Sequence, residues 1–176
     1  MSAMINGRVA VAALMLGLST AGAAGAAQAA SLELSYKQPE RFADVGDGPL
    51  ERERNLAELE SYLRAQAERR LPATQKLSIE LLDLNLAGDV KPVGRNMDRL
   101  RVIKQVDWPS LEMRYVLSEG DKTLREGKVR LADMSFLDRG SSVQHGSSEP
   151  LRYEKRMLDD WFDKEFGPAP AKTAGR

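Results

Sequence analysis

Leu111-Glu112-Met113-Arg114-Tyr115-Val116-Leu117-Ser118-Glu119-Gly120-Asp121 is the stretch from which the fold is read. Leu111, Met113, Tyr115 and Leu117 alternate with Glu112, Arg114 and Val116. Successive side chains of a strand point to opposite faces, so this segment has one buried face and one facing water. Glu119-Gly120-Asp121 reads as a hairpin turn, and Lys122–Leu131 as its return arm, with Gly127 a candidate bulge. An antiparallel pair with one wet face is the seed of an antiparallel sheet covered on one side.

Upstream, Arg99–Val106 alternates as a strand. Leu100, Val102 and Val106 face one way, and Arg99, Arg101 and Gln105 the other. Ala87–Asp89 and Pro92–Asn96 read as loop. Lys76–Leu86 reads as a strand with a defect, because Leu77, Ile79 and Leu81 are followed by Leu82, Leu84 and Leu86. A period of two changes parity only through a bulge, a twist between layers or burial on both faces. Leu32–Tyr36 alternates as a short strand. Between the two comes a helix over 50–70. Pro49 suits its start, Leu56, Leu59, Leu63 and Ala67 form its apolar stripe, and Leu71-Pro72 stops it. A second helix spans 150–166, with Leu151, Glu154, Met157, Leu158, Trp161, Phe162 and Phe166 on one face and Gly167-Pro168 at its end. The expected fold is α+β: a single antiparallel-rich sheet of about five strands with two helices packed on one face.

The 176 residues hold no cysteine, one histidine, and 26 basic against 26 acidic side chains. Without cysteine there is no disulfide, thiol nucleophile or thiolate metal site, and His145 alone cannot make a multi-histidine site. Balanced charge argues against nucleic acid as a partner. The residues point to no catalytic group, no metal and no cofactor. Residues 1–29 read as a cleavable export signal: Arg8, an apolar core from Val9 to Leu18, and Ala27-Gln28-Ala29 before the cut. That leaves a single domain over 30–166, no membrane span after cleavage, and a disordered tail over 167–176.

Several blocks carry a family resemblance: Gln38-Pro39-Glu40-Arg41-Phe42-Ala43-Asp44-Val45, Leu86-Ala87-Gly88-Asp89-Val90, Asp107-Trp108-Pro109, and Leu151-Arg152-Tyr153-Glu154-Lys155-Arg156-Met157-Leu158-Asp159-Asp160-Trp161-Phe162. In order and spacing they resemble the bacterial DUF family 3016 over residues 32–166. The resemblance implies a small exported protein in a periplasmic setting and assigns no activity or site residue.

Asp83, Asn85, Gly88 and Asp89 open like a calcium loop, but Ala87 and Gly94 stand where donors are needed. Asp159, Asp160 and Asp163 form an acidic cluster, but Lys155–Asp159, Arg156–Asp160 and Asp160–Lys164 are four-apart opposite charges, the pattern of a solvated, salt-bridged face. His145 lies among Ser and Gly with nothing local to hold it as a base. Trp161 belongs to a helix stripe and so to the core. Charge is uneven, since residues 91–130 hold 10 basic and 6 acidic residues. The expected binding surface is therefore the wet sheet face with Arg99, Arg101, Gln105 and Arg114, and the expected partner is an envelope protein or an anionic ligand such as a lipid headgroup. The favoured reading is a non-enzymatic binding or accessory protein of the periplasm. The rival is a carboxylate- or cation-dependent hydrolase, which needs one pocket joining Asp83 and Asp89 to Asp107. A homodimer through an exposed strand edge is a third possibility.

Overall fold

The computed structural model describes residues 30–138, 145–146 and 148–169. Residues 1–29, read above as an export signal, most of the Ser/Gly loop and residues 170–176 lie outside the described residues. The elements run β1 (Ser31–Tyr36), a 3-10 turn (Pro39–Arg41), α1 (Pro49–Arg70), β2 (Gln75–Asn85), β3 (Asp89–Val93), β4 (Asp98–Val102), β5 (Ser110–Glu119), β6 (Lys122–Ala132) and α2 (Arg152–Phe166).

The α+β class holds, but the single five-stranded sheet does not. Four strands form one mixed sheet in the order β1-β2-β5-β6, and β3 pairs only with β4 in a separate two-stranded ribbon. β1 is parallel to β2, with Leu32 beside Leu77 and Leu34 beside Ile79. The cause is α1: a parallel neighbour needs a helical crossover, and a 22-residue helix supplies one. The strand expected over 99–106 ends at Val102, and part of the expected loop is β3. Residues 92–100 are all exposed, so no buried face imposes an alternating pattern there. Pro92, which lacks an N–H, is tolerated because the ribbon has free edges.

The defect in β2 is a bulge, with the register against β5 shifting between Leu81 and Asp83. Leu82 is the extra residue, which keeps Leu84 in the core and aims Asp83 and Asn85 at the wet side. In β6 the irregularity falls at Leu124, between the partners of Leu117 and Ser118, rather than at Gly127. Gly127 instead makes room for a neighbour, since a Cβ there would lie 3.0 Å from the Tyr115 ring.

One face of the four-stranded sheet, with Leu77, Ile79, Leu81, Met113 and Tyr115, packs against both helices. α1 contributes Leu59, Leu63 and Ala67, and α2 contributes Met157, Leu158, Trp161 and Phe162. Trp161 sits edge-on to Tyr115 and Phe162, with ring centroids 5.3 and 4.8 Å away. The opposite face is wet and internally paired: Lys76 with Glu33 at 2.7 Å, Arg114 with Glu80 at 2.9 Å, and Lys128 with Glu112 at 2.6 Å.

Candidate functional site

Chemistry-bearing side chains collect in three places. The first lies between the helices. His145 is 7% exposed, with Nε2 2.8 Å from Asp159 Oδ2 and Nδ1 3.1 Å from Glu149 Oε2. The Tyr62 hydroxyl donates to Asp159 Oδ1 at 2.5 Å, and burial, then Asp159, holds its pKa far above the ordinary phenol value. Arg70 donates to Asp163 at 2.6 Å and lies 3.8 Å from Asp159. Lys155 reaches Glu58 and Glu149 at 2.6 and 2.7 Å. Burial works against its charge, yet Glu149 and Glu58 hold its pKa above the ordinary value.

Two expectations are corrected here. His145 is held, by Glu149 four residues on and by the distant Asp159 and Tyr62; Asp160, Asp163 and Lys164 are exposed as expected, but Lys155 and Asp159 are buried. Both turn to α1 and to the 145–149 segment. With a carboxylate at each ring nitrogen, His145 clamps α2 to Glu149. Likewise Arg156 donates to Asp133 at 3.0 Å and to the Phe136 carbonyl at 2.6 Å, which ties α2 to the segment after β6.

The second place is a basin of about 640 Å³ between the bulged end of β2 and the ribbon. Asp44, Asp47, Asp83, Asp89 and Asp107 line it, with Arg99, Arg130 and Trp108. It joins Asp83 and Asp89 to Asp107, the pocket that the carboxylate reading requires. Asp83 accepts the Ala43 N–H at 2.9 Å, and Asp44 and Asp47 take arginines. Asp107 Oδ2 is buried with no hydrogen-bond partner among the described residues. Among the described residues no three His or carboxylate side chains come together as a metal-holding group. A neighbouring groove of about 420 Å³ shares Ala43 and Asp83 and is basic, with Lys37, Arg41, Arg114 and Lys128 on its walls.

The third place is the ribbon. Arg99 and Arg101 lie on one face of β4, opposite Pro92 and Val90. Both are turned to the body. Arg99 forks onto Asp47 at 2.5 and 2.7 Å, and Arg101 onto Asp44 at 2.7 and 3.2 Å while also reaching the Gly88 carbonyl at 3.1 Å. Gln105 leaves β4 in the following loop and donates to the Met134 carbonyl at 2.5 Å. Arg114 is on β5 in the main sheet. The structure thus unites Arg99 with Arg101, sets Gln105 in the loop behind them, and leaves Arg114 on a different sheet.

Sequence reasoning missed the base of the ribbon. Glu154 is 2% exposed and accepts the Ala87 N–H at 2.7 Å, and burial pushes its carboxyl above the usual range. Its signal was legible, a glutamate inside an otherwise apolar stripe. Gly88 follows at φ 80°, where a Cβ would meet Ile103 Cδ1 at 2.6 Å and the Val102 carbonyl oxygen at 2.7 Å. On the outer face Val93 and Leu100 are exposed and Val102 is half-buried. Six of the ten exposed large apolar residues among those described fall between 93 and 108, including Met97 at 63%, Leu100 at 53% and Val106 at 72%.

A protein-family model described as "Protein of unknown function (DUF3016)" matches residues 30–164. No curated protein and no solved structure matches the chain.

Proposed function

The chain belongs to the DUF3016 family, whose description assigns no activity, and we propose that it is an exported periplasmic protein that acts without catalysis, as a binding or accessory protein of the cell envelope, through the β3–β4 ribbon and the loop behind it. The leader-like residues 1–29 support export, with cleavage after Ala29. The observation that carries the binding reading is the contrast in partners. Polar groups in the helix cluster are engaged with one another, whereas Val93, Met97, Leu100, Ile103, Val106 and Trp108 are exposed. Exposed apolar residues gathered in one place mark interaction sites. In this reading Arg99, Arg101 and Gln105 fix the ribbon and loop in place, and Arg114 borders the neighbouring basic groove.

A photo-crosslinking residue at Met97, compared with one at the exposed Glu126 on β6, tests the reading in cells. The expected result is an adduct from position 97 alone, on a chain whose mass begins at Ala30. No adduct at 97, or equal adducts at both, would refute the ribbon as working surface; a retained leader would refute cleavage.

The carboxylate reading is favoured by one observation, the basin that joins Asp83, Asp89 and Asp107. It requires the melting temperature to rise with a divalent cation, because a ligand of the folded state alone stabilises it. The ribbon reading expects no such rise.

A further inference from the structure

Resting on the ribbon reading, we infer that the partner of the β3–β4 ribbon is a lipid bilayer with anionic headgroups, into whose surface Val93, Met97 and Leu100 insert. The two faces of the ribbon have different fates. The Arg99/Arg101 face is bound to Asp47 and Asp44, so it sets the angle of the arm. The other face pairs Lys91 with Leu100 and Val93 with Asp98, and Met97 stands at the turn between the strands.

Charge complementarity favours an anionic surface. Residues 89–104 hold Lys91, Arg95, Arg99, Arg101 and Lys104 against Asp89 and Asp98, and with Arg99 and Arg101 already paired to Asp47 and Asp44 the cations left for a partner are Arg95 and Lys104 beside the turn. Arg95 and Lys104 form no ion pair among the described residues, and Lys91 has only the exposed Asp89 at 3.2 Å. Cations beside exposed apolar side chains are the combination that holds a protein at an acidic membrane surface, where headgroups meet the cations and acyl chains the apolar tips. Shape favours a bilayer over a protein. Val93, Met97 and Leu100 stand separately on a two-stranded arm exposed throughout from Pro92 to Leu100, and none of them lines the basin or the basic groove. A protein partner needs matched relief at its core, whereas lipid accepts separate side chains without a fitted pocket.

The test uses the mature chain from Ala30 with vesicles of phosphatidylethanolamine with phosphatidylglycerol, and of phosphatidylcholine alone, read by co-sedimentation. Binding to the phosphatidylglycerol vesicles alone is expected, falling as salt rises. Arg95→Glu with Lys104→Glu should weaken it by about twentyfold or more. Met97→Ser with Leu100→Ser should weaken it by about tenfold or more. Both variants should melt at the wild-type temperature, which separates lost docking from lost folding. No binding by the wild type, or full binding by the Met97/Leu100 variant, overturns the inference. Empty vesicles together with a protein adduct at Met97 would end the lipid assignment and leave the ribbon reading standing. Empty vesicles with no adduct would end both.

Discussion

The polar cluster between the helices and the ribbon reverse the usual distribution of side chains, in opposite directions. The cluster buries His145, Lys155 and Asp159 and half-buries Tyr62, and the ribbon exposes Val93, Met97 and Leu100. The cluster tolerates burial because its donors and acceptors meet inside the protein: Asp159 alone takes Tyr62 and His145 and lies near Arg70. Among the described residues nothing buries Val93, Met97 or Leu100 of the ribbon. A buried polar group with its partners in place explains itself through structure. An exposed apolar face needs an explanation from outside the molecule, and for that reason function is sought at the ribbon.

The strongest challenge to this contrast is Asp159→Ala. It leaves His145, Tyr62 and Arg70 facing one another without the carboxylate, and should destabilise the fold by about 3–5 kcal/mol in urea unfolding, as for other broken buried ion pairs. A loss below about 0.5 kcal/mol would show the cluster to be solvated like ordinary surface. At the junction of the two regions, Gly88→Ala forces a Cβ against the Val102 carbonyl at a positive φ and should cost about 1–3 kcal/mol. Hydrogen exchange should quicken first in β3 and β4.

Glu154→Gln probes the same junction through pH. The folded carboxyl keeps its proton above the ordinary glutamate value, so the wild type loses stability as pH rises from that value through its raised folded pKa. Glutamine has no proton to release and still offers an acceptor to the Ala87 N–H. The stability of the variant relative to wild type should therefore grow between about pH 4 and pH 8, and a constant difference would contradict the raised pKa. The smallest effect belongs to the ribbon itself. Val93→Ser and Leu100→Ser should each leave unfolding within about 0.5 kcal/mol of wild type, since both side chains are already in water. A loss of about 2 kcal/mol would mean that the outer face packs against the body after all.

Particular residues show why some of this was legible in advance. The stripe Leu59, Leu63, Ala67 and the alternation Leu111, Met113, Tyr115, Leu117 are local periods set by backbone geometry, and all of these residues are buried. The parity change at Leu82 also announced its bulge. His145 gave only part of its signal locally: Glu149 is four residues on, but its other partners Tyr62 and Asp159 are 83 and 14 residues away. The four-apart charges of α2 misled for a related reason. Spacing shows which side chains can meet on an isolated helix, but not that α1 lies over the same face with Glu58 and Arg70. Arg99, Arg101 and Arg114 share a strand-like polar pattern, yet the chain divides them between two sheets.

By itself the sequence determined the two helices, most strand positions, the family blocks and the absence of cysteine chemistry, because each is written in neighbours a few residues apart. Only the tertiary structure decided that β1 runs parallel to β2, that β3 and β4 leave the main sheet, and that His145 is clamped. It also decided which arginines are engaged and which apolar side chains remain in water. Those outcomes depend on which distant surfaces meet, and burial and ion pairing are properties of the meeting rather than of either segment alone.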